Sequence, residues 1–310
     1  MKLLGWIALE HPLRFGVITV QNTSWKTLVK RWQFIEEVGF DTLWVVDHFT
    51  VPVPSYVNMP WFEAWTTLSA LGVQTSRIRI GTLVTAIPWR NPAWLARQAL
   101  TVDHISHGRL ELGLGTGVHG DVGHSMTGIE DWVPRERVER FREYVEIVDL
   151  LLRNPVTTYR GKYYKLEAAH MQPPPVQKPR PPITIGAYGP LMLKYVARYA
   201  DAWNRIGGIL DSDVEEVRRQ NRLLDKYCVE MNRDPQSLRR SYVMCEFEAI
   251  RSLGPMMIYK SIDAFPKAVE RYIKVGITEF VIGYPFAEGQ IPVFEQIAKE
   301  TIPELRKLYN

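Results

Sequence analysis

Eight segments of β-branched or apolar residues alternate along this 310-residue chain with segments whose apolar residues have helical spacing. Regular alternation of strand and helix predicts an α/β fold with a parallel sheet. Eight repeats are the number that closes a (β/α)8 TIM barrel, which we therefore predict. The predicted strands are residues 14–20, 42–48, 77–84, 109–117, 182–189, 201–208, 241–250 and 279–285, and the predicted helices are residues 24–38, 62–74, 92–105, 134–153, 190–200, 212–231, 264–275 and 291–308.

A doubly wound open sheet has the same alternation and is the alternative fold. Sheets of that kind that bind dinucleotides carry a G-x-G-x-x-G fingerprint. The nearest match here, GLGTG at residues 113–117, is weak, so the barrel is favoured. We predict a single domain over residues 1–310, with inserted loops on the catalytic face. Segments 118–133 and 154–181 lie outside the repeat, and the second contains TYRGKYYKL, which is typical of a small hairpin.

The composition excludes several classes of protein. The chain is 46% hydrophobic and has a formal net charge of +4, and its Lys and Arg residues are interspersed with acids rather than clustered, so we do not predict a nucleic-acid partner. Neither of the two cysteines lies in a metal-ligand spacing, and no histidines form an H-x-x-x-H pair, so we predict no metal site. No uncharged apolar run reaches the roughly 18 residues that span a bilayer. We expect a soluble cytoplasmic protein whose first ten residues are a packed extension.

The ends of the predicted strands carry the candidate site residues. Parallel barrels keep their active sites at the carboxyl ends of the strands. Glycines there let a flat or phosphorylated ligand approach the backbone, and a following helix offers N–H donors to an anion. Strand ends with several glycines, one carboxylate and one imidazole are typical of a binding site for an aromatic cofactor rather than of a hydrolytic triad. The residues are Asp47 and His48, Leu83 and Val84, Thr116 and Gly117, and Gly186, Ala187, Tyr188 and Gly189.

His48 is the candidate catalytic residue, because an imidazole with an ordinary pKa of about 6.5 can transfer a proton near neutral pH. Asp47 is adjacent in sequence, but successive side chains of a strand point to opposite faces, so it is not automatically the partner of His48. From the residues alone two interpretations stay open. Either His48 transfers a proton, or it is a hydrogen-bonded pocket residue while Asp47 pairs within the barrel wall.

Four blocks of sequence resemble one known family in the same order. They are EEVGFDTLWVVDHF (36–49), RIRIGTLV (77–84), RNPAWLARQALTVDHISHGRLELGLGTG (90–117) and PPITIGAYGP with the later ADAWN (181–190 and 200–204). The chain resembles the bacterial luciferase-like superfamily of flavin- and deazaflavin-dependent oxidoreductases, which are (β/α)8 barrels. The acid-His-Phe ending of the second strand is similar to the branch that uses coenzyme F420, a deazaflavin.

The resemblance implies roles for these strand ends. His48 would lie near the reactive ring carbon, and Asp47 would shape the same pocket. A bulge with a non-prolyl cis peptide behind the ring would fall at Leu83–Val84. Thr116 and Gly117 would contact the cofactor, and residues 186–189 would hold its phosphate-bearing tail. Some deazaflavin enzymes have an acid just after the matching T-G, where this chain has Val118.

Three functional hypotheses follow from the resemblance and the residues. The first is a hydride-transferring oxidoreductase that uses coenzyme F420 and a small organic substrate, and the second is a monooxygenase that uses reduced FMN. The third is a non-enzymatic flavin-binding protein. Trp61 and Glu63, in an aromatic loop after the second strand, are the candidate substrate contacts. We also expect a homodimer, and no membrane partner.

Overall fold

Eight parallel strands form a closed barrel in which the first strand pairs with the last. The computed structural model describes residues 11–51, 58–207, 213–245, 252 and 254–310. The predicted (β/α)8 barrel is confirmed, and the open-sheet alternative is wrong. The barrel strands, in spatial order, are β1 (Arg14–Thr19), β2 (Thr42–Val45), β3 (Arg79–Ala86), β4 (Leu110–Gly115), β7 (Ile183–Gly186), β8 (Ala202–Gly207), β9 (Arg239–Met244) and β10 (Glu279–Gly283).

Helices surround the barrel, and polar residues at their ends fix where they begin. Asn91 accepts a hydrogen bond from the Ala93 N–H, and Pro92 occupies the first helical position, as the sequence predicted. Ser24 caps the first helix by accepting a hydrogen bond from the Thr27 N–H. The helices are α1 (Trp25–Glu37), α2 (Ala64–Gln74), α3 (Pro92–Ile105), α4 (Gly123–Thr127), α5 (Pro134–Arg153), α6 (Pro190–Tyr199), α7 (Val214–Glu230), α8 (Ala264–Ile273), α9 (Ile291–Gln296) and α10 (Ile302–Tyr309), with a π-helical turn at Ile297–Thr301.

Two segments between β4 and β7 contain structure of their own. Strands β5 (Val156–Arg160) and β6 (Lys165–His170) form the antiparallel hairpin that the sequence predicted. The buried carboxylate of Glu143 on α5 accepts the N–H groups of residues 162–164 at the hairpin turn, so the hairpin is fastened to the barrel. Segment 118–133, predicted to be a loop without regular structure, contains the short helix α4. The N-terminal extension, residues 52–57 and the ends of the predicted sixth and seventh strands lie outside the described residues.

Strands β2, β4 and β10 are buried along their whole length. In a parallel barrel one face of each strand lines the interior and the other packs on the helices, so both faces avoid water. This explains the nearly continuous apolar runs that the sequence shows at these strands.

The amino ends of the strands are closed by buried ion pairs around Glu111. Arg79 Nε lies 2.6 Å from Glu111 Oε1, and Arg239 Nη2 lies 2.7 Å from Oε2. Arg14 and Glu279, the first residues of β1 and β10, complete the cluster. Burial acts to raise the pKa of Glu111, but the surrounding arginines outweigh it and lower the pKa to about 2. Charged side chains thus close the barrel axis at this end, and parallel barrels keep their active sites at the opposite, carboxyl end of the strands.

We expect the substitution Glu111→Gln to destabilise the fold by about 2–4 kcal/mol at neutral pH, because it leaves partly buried arginines without their shared counter-ion. Since the pKa of Glu111 is depressed in the folded state, its contribution is present above pH 4.5 and is lost as the pH falls toward about 2. Urea unfolding measured at several pH values should therefore show the wild-type and the variant converging in acid. The exposed Glu304→Gln is the control, and a constant difference from pH 7 to pH 3 would contradict the assignment.

Candidate active site

His48 and Asp121 form a hydrogen-bonded pair at the carboxyl end of the barrel. His48 Nδ1 lies 2.6 Å from Asp121 Oδ2, and the other carboxylate oxygen accepts the Gly123 N–H at 2.8 Å. The side chain of Asp121 is 2% exposed. Burial acts to raise the pKa of Asp121, but the bonds from His48 and Gly123 outweigh it and the pKa is lowered. Asp121 is therefore an acceptor for His48 at neutral pH.

Asp47 has a different partner from His48. Arg90 forms two bonds to its carboxylate, with Nη1–Oδ2 at 2.5 Å and Nη2–Oδ1 at 3.0 Å, and the Ala86 N–H donates to Oδ2. Burial lowers the pKa of Arg90, but the charge of Asp47 outweighs that effect and raises it. Because the pair is bidentate and largely buried, Asp47 joins the end of β2 to the end of β3.

The two candidate substrate contacts, Trp61 and Glu63, are both engaged with the protein. Trp61 Nε1–H donates to the His48 carbonyl at 2.8 Å. Glu63 caps α2 by accepting the N–H groups of Trp65 and Thr66. Burial acts to raise the pKa of Glu63, but these bonds outweigh it and lower the pKa. The half-buried ring of Trp61 can still face a ligand, whereas the carboxylate of Glu63 has a structural role at the helix start. Their contact with a substrate stays a prediction.

The peptide bond Leu83–Val84 is cis, and β3 has a bulge at this point, as the resemblance implied. The Val84 side chain lies over glycines of two neighbouring strands. A Cβ at Gly115 would be 2.4 Å from Val84 Cγ2, and one at Gly186 would be 3.4 Å from Val84 Cγ1. Gly115 therefore makes room for Val84 in addition to ending its strand, whereas a Cβ at Gly186 would meet Val84 only at ordinary van der Waals distance.

A buried arginine holds Thr116 and Gly117 in place. Arg137 Nη1 donates to the Thr116 carbonyl at 2.9 Å, and a Cβ at Gly117, whose φ is +75°, would be 2.9 Å from the same nitrogen. The guanidinium also donates to the Trp132 carbonyl and pairs with Asp131. One side chain of α5 thus fixes both the end of β4 and the inserted segment 118–133.

Residues 186–189 lead into α6 and fit a phosphate group. Gly189 occupies the N-cap position, and a Cβ there would meet no atom within 4 Å. The first helical hydrogen bond is from Leu193 N–H to the Gly189 carbonyl, so the N–H groups of Leu191 and Met192 precede it and have no partner within the helix. Open space and backbone donors at a helix start suit an anion.

The residues present therefore fit a phosphate-bearing flavin or deazaflavin. Val84 and its glycines form a backbone-lined wall behind the mouth, and the start of α6 offers donors to an anionic tail. Among the described residues no three His, Cys, Asp or Glu side chains form a group that could hold a metal ion. No helix within the described ranges is long and apolar enough to cross a membrane.

The structure brings Asp47, His48 and Trp61 together, and adds residues that sequence reasoning missed: Arg90, Asp121 and Arg137. Arg90 stands inside a sequence block of the family resemblance, directly before Asn91 and Pro92, and this was the only signal for it. Asp121 and Arg137 gave no such signal. Asp121 lies in a segment without periodic hydrophobicity. Arg137 lies in a highly charged helix, where the sequence does not distinguish a buried arginine from an exposed one.

The chain is similar to several known proteins. The sequence profile of a family described as luciferase-like monooxygenase matches residues 7–241. An uncharacterised protein of Mycobacterium tuberculosis is 27% identical over 290 residues, which cover 88% of this chain and 92% of that protein. An F420-dependent glucose-6-phosphate dehydrogenase of Amycolatopsis mediterranei is 34% identical over 170 residues, covering 54% of this chain and 49% of the dehydrogenase.

Solved structures share the fold over nearly the whole chain. A coenzyme F420-dependent tetrahydromethanopterin reductase from Methanopyrus kandleri has a TM-score of 0.77 at 19% identity, covering 95% of this chain and 99% of the reductase. An F420-dependent secondary alcohol dehydrogenase in complex with an F420–acetone adduct has a TM-score of 0.79 at 19% identity, with coverages of 94% and 100%. A monooxygenase from Streptomyces bottropensis has a TM-score of 0.74 at 20% identity, with coverages of 94% and 100%. At such identities the likeness concerns the fold alone.

We expect Gly115→Ala to destabilise the protein by about 1–3 kcal/mol, because the new methyl group would overlap Val84 and force it to move. Gly189→Ala is the matched control, since that position has open space and a φ of −83°, and its effect on stability should stay within about 0.5 kcal/mol. Urea unfolding followed by far-UV circular dichroism measures both. Equal stability of the two variants would contradict the packing of Val84 described here.

Proposed function

Because the chain belongs to the luciferase-like monooxygenase family, we propose that it is an oxidoreductase that transfers a hydride between coenzyme F420 and an organic alcohol or carbonyl substrate. The observation that carries this proposal is the pair of His48 and Asp121 at the carboxyl end of β2, beside a wall that fits a flat cofactor. F420-dependent relatives and fold neighbours support the choice of cofactor.

A bound deazaflavin would supply a ring carbon that accepts or donates a hydride. The residues that would hold it are Val84, Thr116 and Gly117, and the N–H groups at the start of α6 would bind its phosphate. Leu83 and residues 186–188 complete the backbone around it. Asp47 contributes indirectly, because its ion pair with Arg90 fixes the ends of β2 and β3.

His48 is proposed to move the proton of the substrate. Its Nδ1–H donates to Asp121, so Nε2 of the neutral ring carries a lone pair. That nitrogen accepts the hydroxyl proton when an alcohol is oxidised and returns it when a carbonyl is reduced. The alcohol loses a hydride, which the oxidised deazaflavin would accept, and a proton, which His48 accepts, so both electrons and both hydrogen nuclei are accounted for.

The surface next to His48 favours a neutral, apolar substrate. Phe49, which directly follows His48, and Val118 and Met126, three and five residues from Asp121 in the chain, are exposed by 55%, 59% and 51%, and Phe49 adjoins Gly123 at the start of α4. Arg90 and Arg137 are paired with Asp47 and Asp131 within the protein. A substrate with an apolar chain would gain from covering these side chains, whereas a sugar phosphate would not.

A monooxygenase that uses reduced FMN is the second candidate. The name of the matched family and the monooxygenase among the fold neighbours favour it, and the wall around Val84 suits either ring system. Oxygen chemistry would require FMN, because deazaflavins do not readily activate oxygen. The non-enzymatic alternative predicts that His48→Ala changes no turnover.

Cofactor binding separates the first two candidates. We expect the apoprotein to bind coenzyme F420 with a change in its absorbance and fluorescence, and to bind FMN more weakly, because the family resemblance at β2 is to the deazaflavin branch. Titrating each cofactor under the same conditions measures both dissociation constants. Tight FMN binding without F420 binding would overturn the leading proposal in favour of the monooxygenase.

Substrate preference tests the apolar surface. Along a series of neutral secondary alcohols we expect KM to fall by up to about fourfold per CH₂ that becomes buried, since each is worth about 0.8 kcal/mol. Val118→Arg should weaken this dependence, while Val229→Arg, at a remote and 64% exposed position of α7, should leave it unchanged. Steady-state kinetics with glucose 6-phosphate as the anionic comparison completes the test, and a preference for the phosphate would show the substrate class to be wrong.

A further inference from the structure

We propose that Asp121 is a positioning residue that fixes the tautomer of His48, so that Nδ1 carries the proton and Nε2 is free to exchange a proton with the substrate. The kinetic consequence rests on the proposed function, whereas the tautomer itself does not.

The contact between Asp121 and His48 is held in place by burial and by a second hydrogen bond to the carboxylate. Asp121 is almost wholly buried, its Oδ2 is 2.6 Å from His48 Nδ1, and its Oδ1 is held by the Gly123 N–H at 2.8 Å. Both oxygens thus have a fixed donor, and the plane of the carboxylate cannot rotate without losing one of them. The lowered pKa of Asp121 is consistent with a carboxylate that only accepts hydrogen bonds.

Two neighbouring ionisable side chains in the described part of the chain, Asp47 and His124, form their hydrogen bonds with other partners. Asp47 is held by Arg90, so it does not compete for the imidazole. His124 faces Asp121 from α4, but its Nδ1 lies 3.1 Å from the Ile129 carbonyl, so it donates there, and its Nε2 accepts from Arg137. Both nitrogens of His124 are therefore satisfied in its neutral form, and Asp121 is left to His48.

An asparagine at position 121 meets a conflict that an aspartate does not. The Gly123 N–H requires an acceptor, so the amide oxygen must face it, and the NH₂ group is then directed at His48 Nδ1. A nitrogen that receives a hydrogen bond cannot be the protonated one, so the proton moves to Nε2. Asp121→Asn thus imposes the unproductive tautomer, while Asp121→Ala merely leaves both tautomers available. The same logic explains the effect of an Asp-to-Asn change behind a catalytic histidine in serine proteases.

The first measurement is the tautomer of His48 in ¹⁵N-histidine-labelled protein at pH 8, with its signals assigned by loss in His48→Gln. We expect a protonated Nδ1 in the wild-type protein and a protonated Nε2 in Asp121→Asn. Glu130→Gln, an exposed acid of the same segment, is the matched control and should resemble the wild type. A wild-type tautomer in Asp121→Asn would overturn the proposal whatever the enzyme's activity.

The second measurement is kinetic, with coenzyme F420 and a neutral secondary alcohol. General acid–base catalysis contributes about 10²–10⁴-fold, so we expect kcat to fall by about 10²-fold or more in Asp121→Asn and less in Asp121→Ala, with partial rescue in Asp121→Glu. The dissociation constant of F420, from its fluorescence, should change by less than about twofold, because Asp121 acts on a proton rather than on the cofactor.

These outcomes keep the two proposals separate. Failure of every variant and of the wild type to turn over would reject the proposed function, while the tautomer measurement would still decide the role of Asp121. Equal kcat in Asp121→Asn and the wild type would reject the positioning role. If Asp121→Asn unfolds, as circular dichroism would reveal, the tautomer and pH–rate profile of Asp121→Glu decide instead, and a wild-type profile with a protonated Nε2 would overturn the proposal.

Discussion

The ion pair between Asp47 and Arg90 is the contact on which the carboxyl end of this barrel depends. It joins the ends of β2 and β3, while the Asp47 carbonyl accepts from Trp89 and the Arg90 carbonyl accepts from Tyr144 on α5. The same guanidinium reaches the carboxylate that caps α2. Because His48 directly follows Asp47, its backbone position is set by this network rather than by the strand ladder, which ends at Val45. A buried, bidentate ion pair fixes the relative orientation of its two side chains and also stabilises their contact.

Most of the fold follows from the sequence, because alternation of strand and helix is a local signal repeated eight times. The errors lie at boundaries where a side chain competes with the backbone. Strand β3 begins two residues later than predicted, since the Glu36 carboxylate takes the N–H groups of residues 76–78. Strand β2 ends three residues early because the Gln21 side chain bonds both the N–H and the carbonyl of Val46. The hydrophobic pattern of a sequence does not show which side chains will bond to backbone groups, so these boundaries could not be predicted from it.

The residues of the candidate site also fall into those that the sequence indicated and those that it did not. His48 and the cis bond at Leu83–Val84 follow from a strand ending and a family resemblance, both of which are contiguous in sequence. Asp121 and Arg137 could not be predicted, because they act across 73 and 21 residues and belong to an irregular segment and a charged helix. Identical residue types on α5 are solvated, so only the packed structure distinguishes the buried arginine. Sequence reasoning singled out His48 and missed Asp121, its hydrogen-bond partner.

One aliphatic side chain determines the shape of the wall behind the mouth. Val84 occupies the space that a side chain at Gly115 on the neighbouring strand β4 would otherwise fill. The volumes at these two positions are therefore coupled, because a larger residue at position 115 demands a smaller one at position 84. Homologues with a differently shaped ring or substrate should show correlated substitutions at this pair.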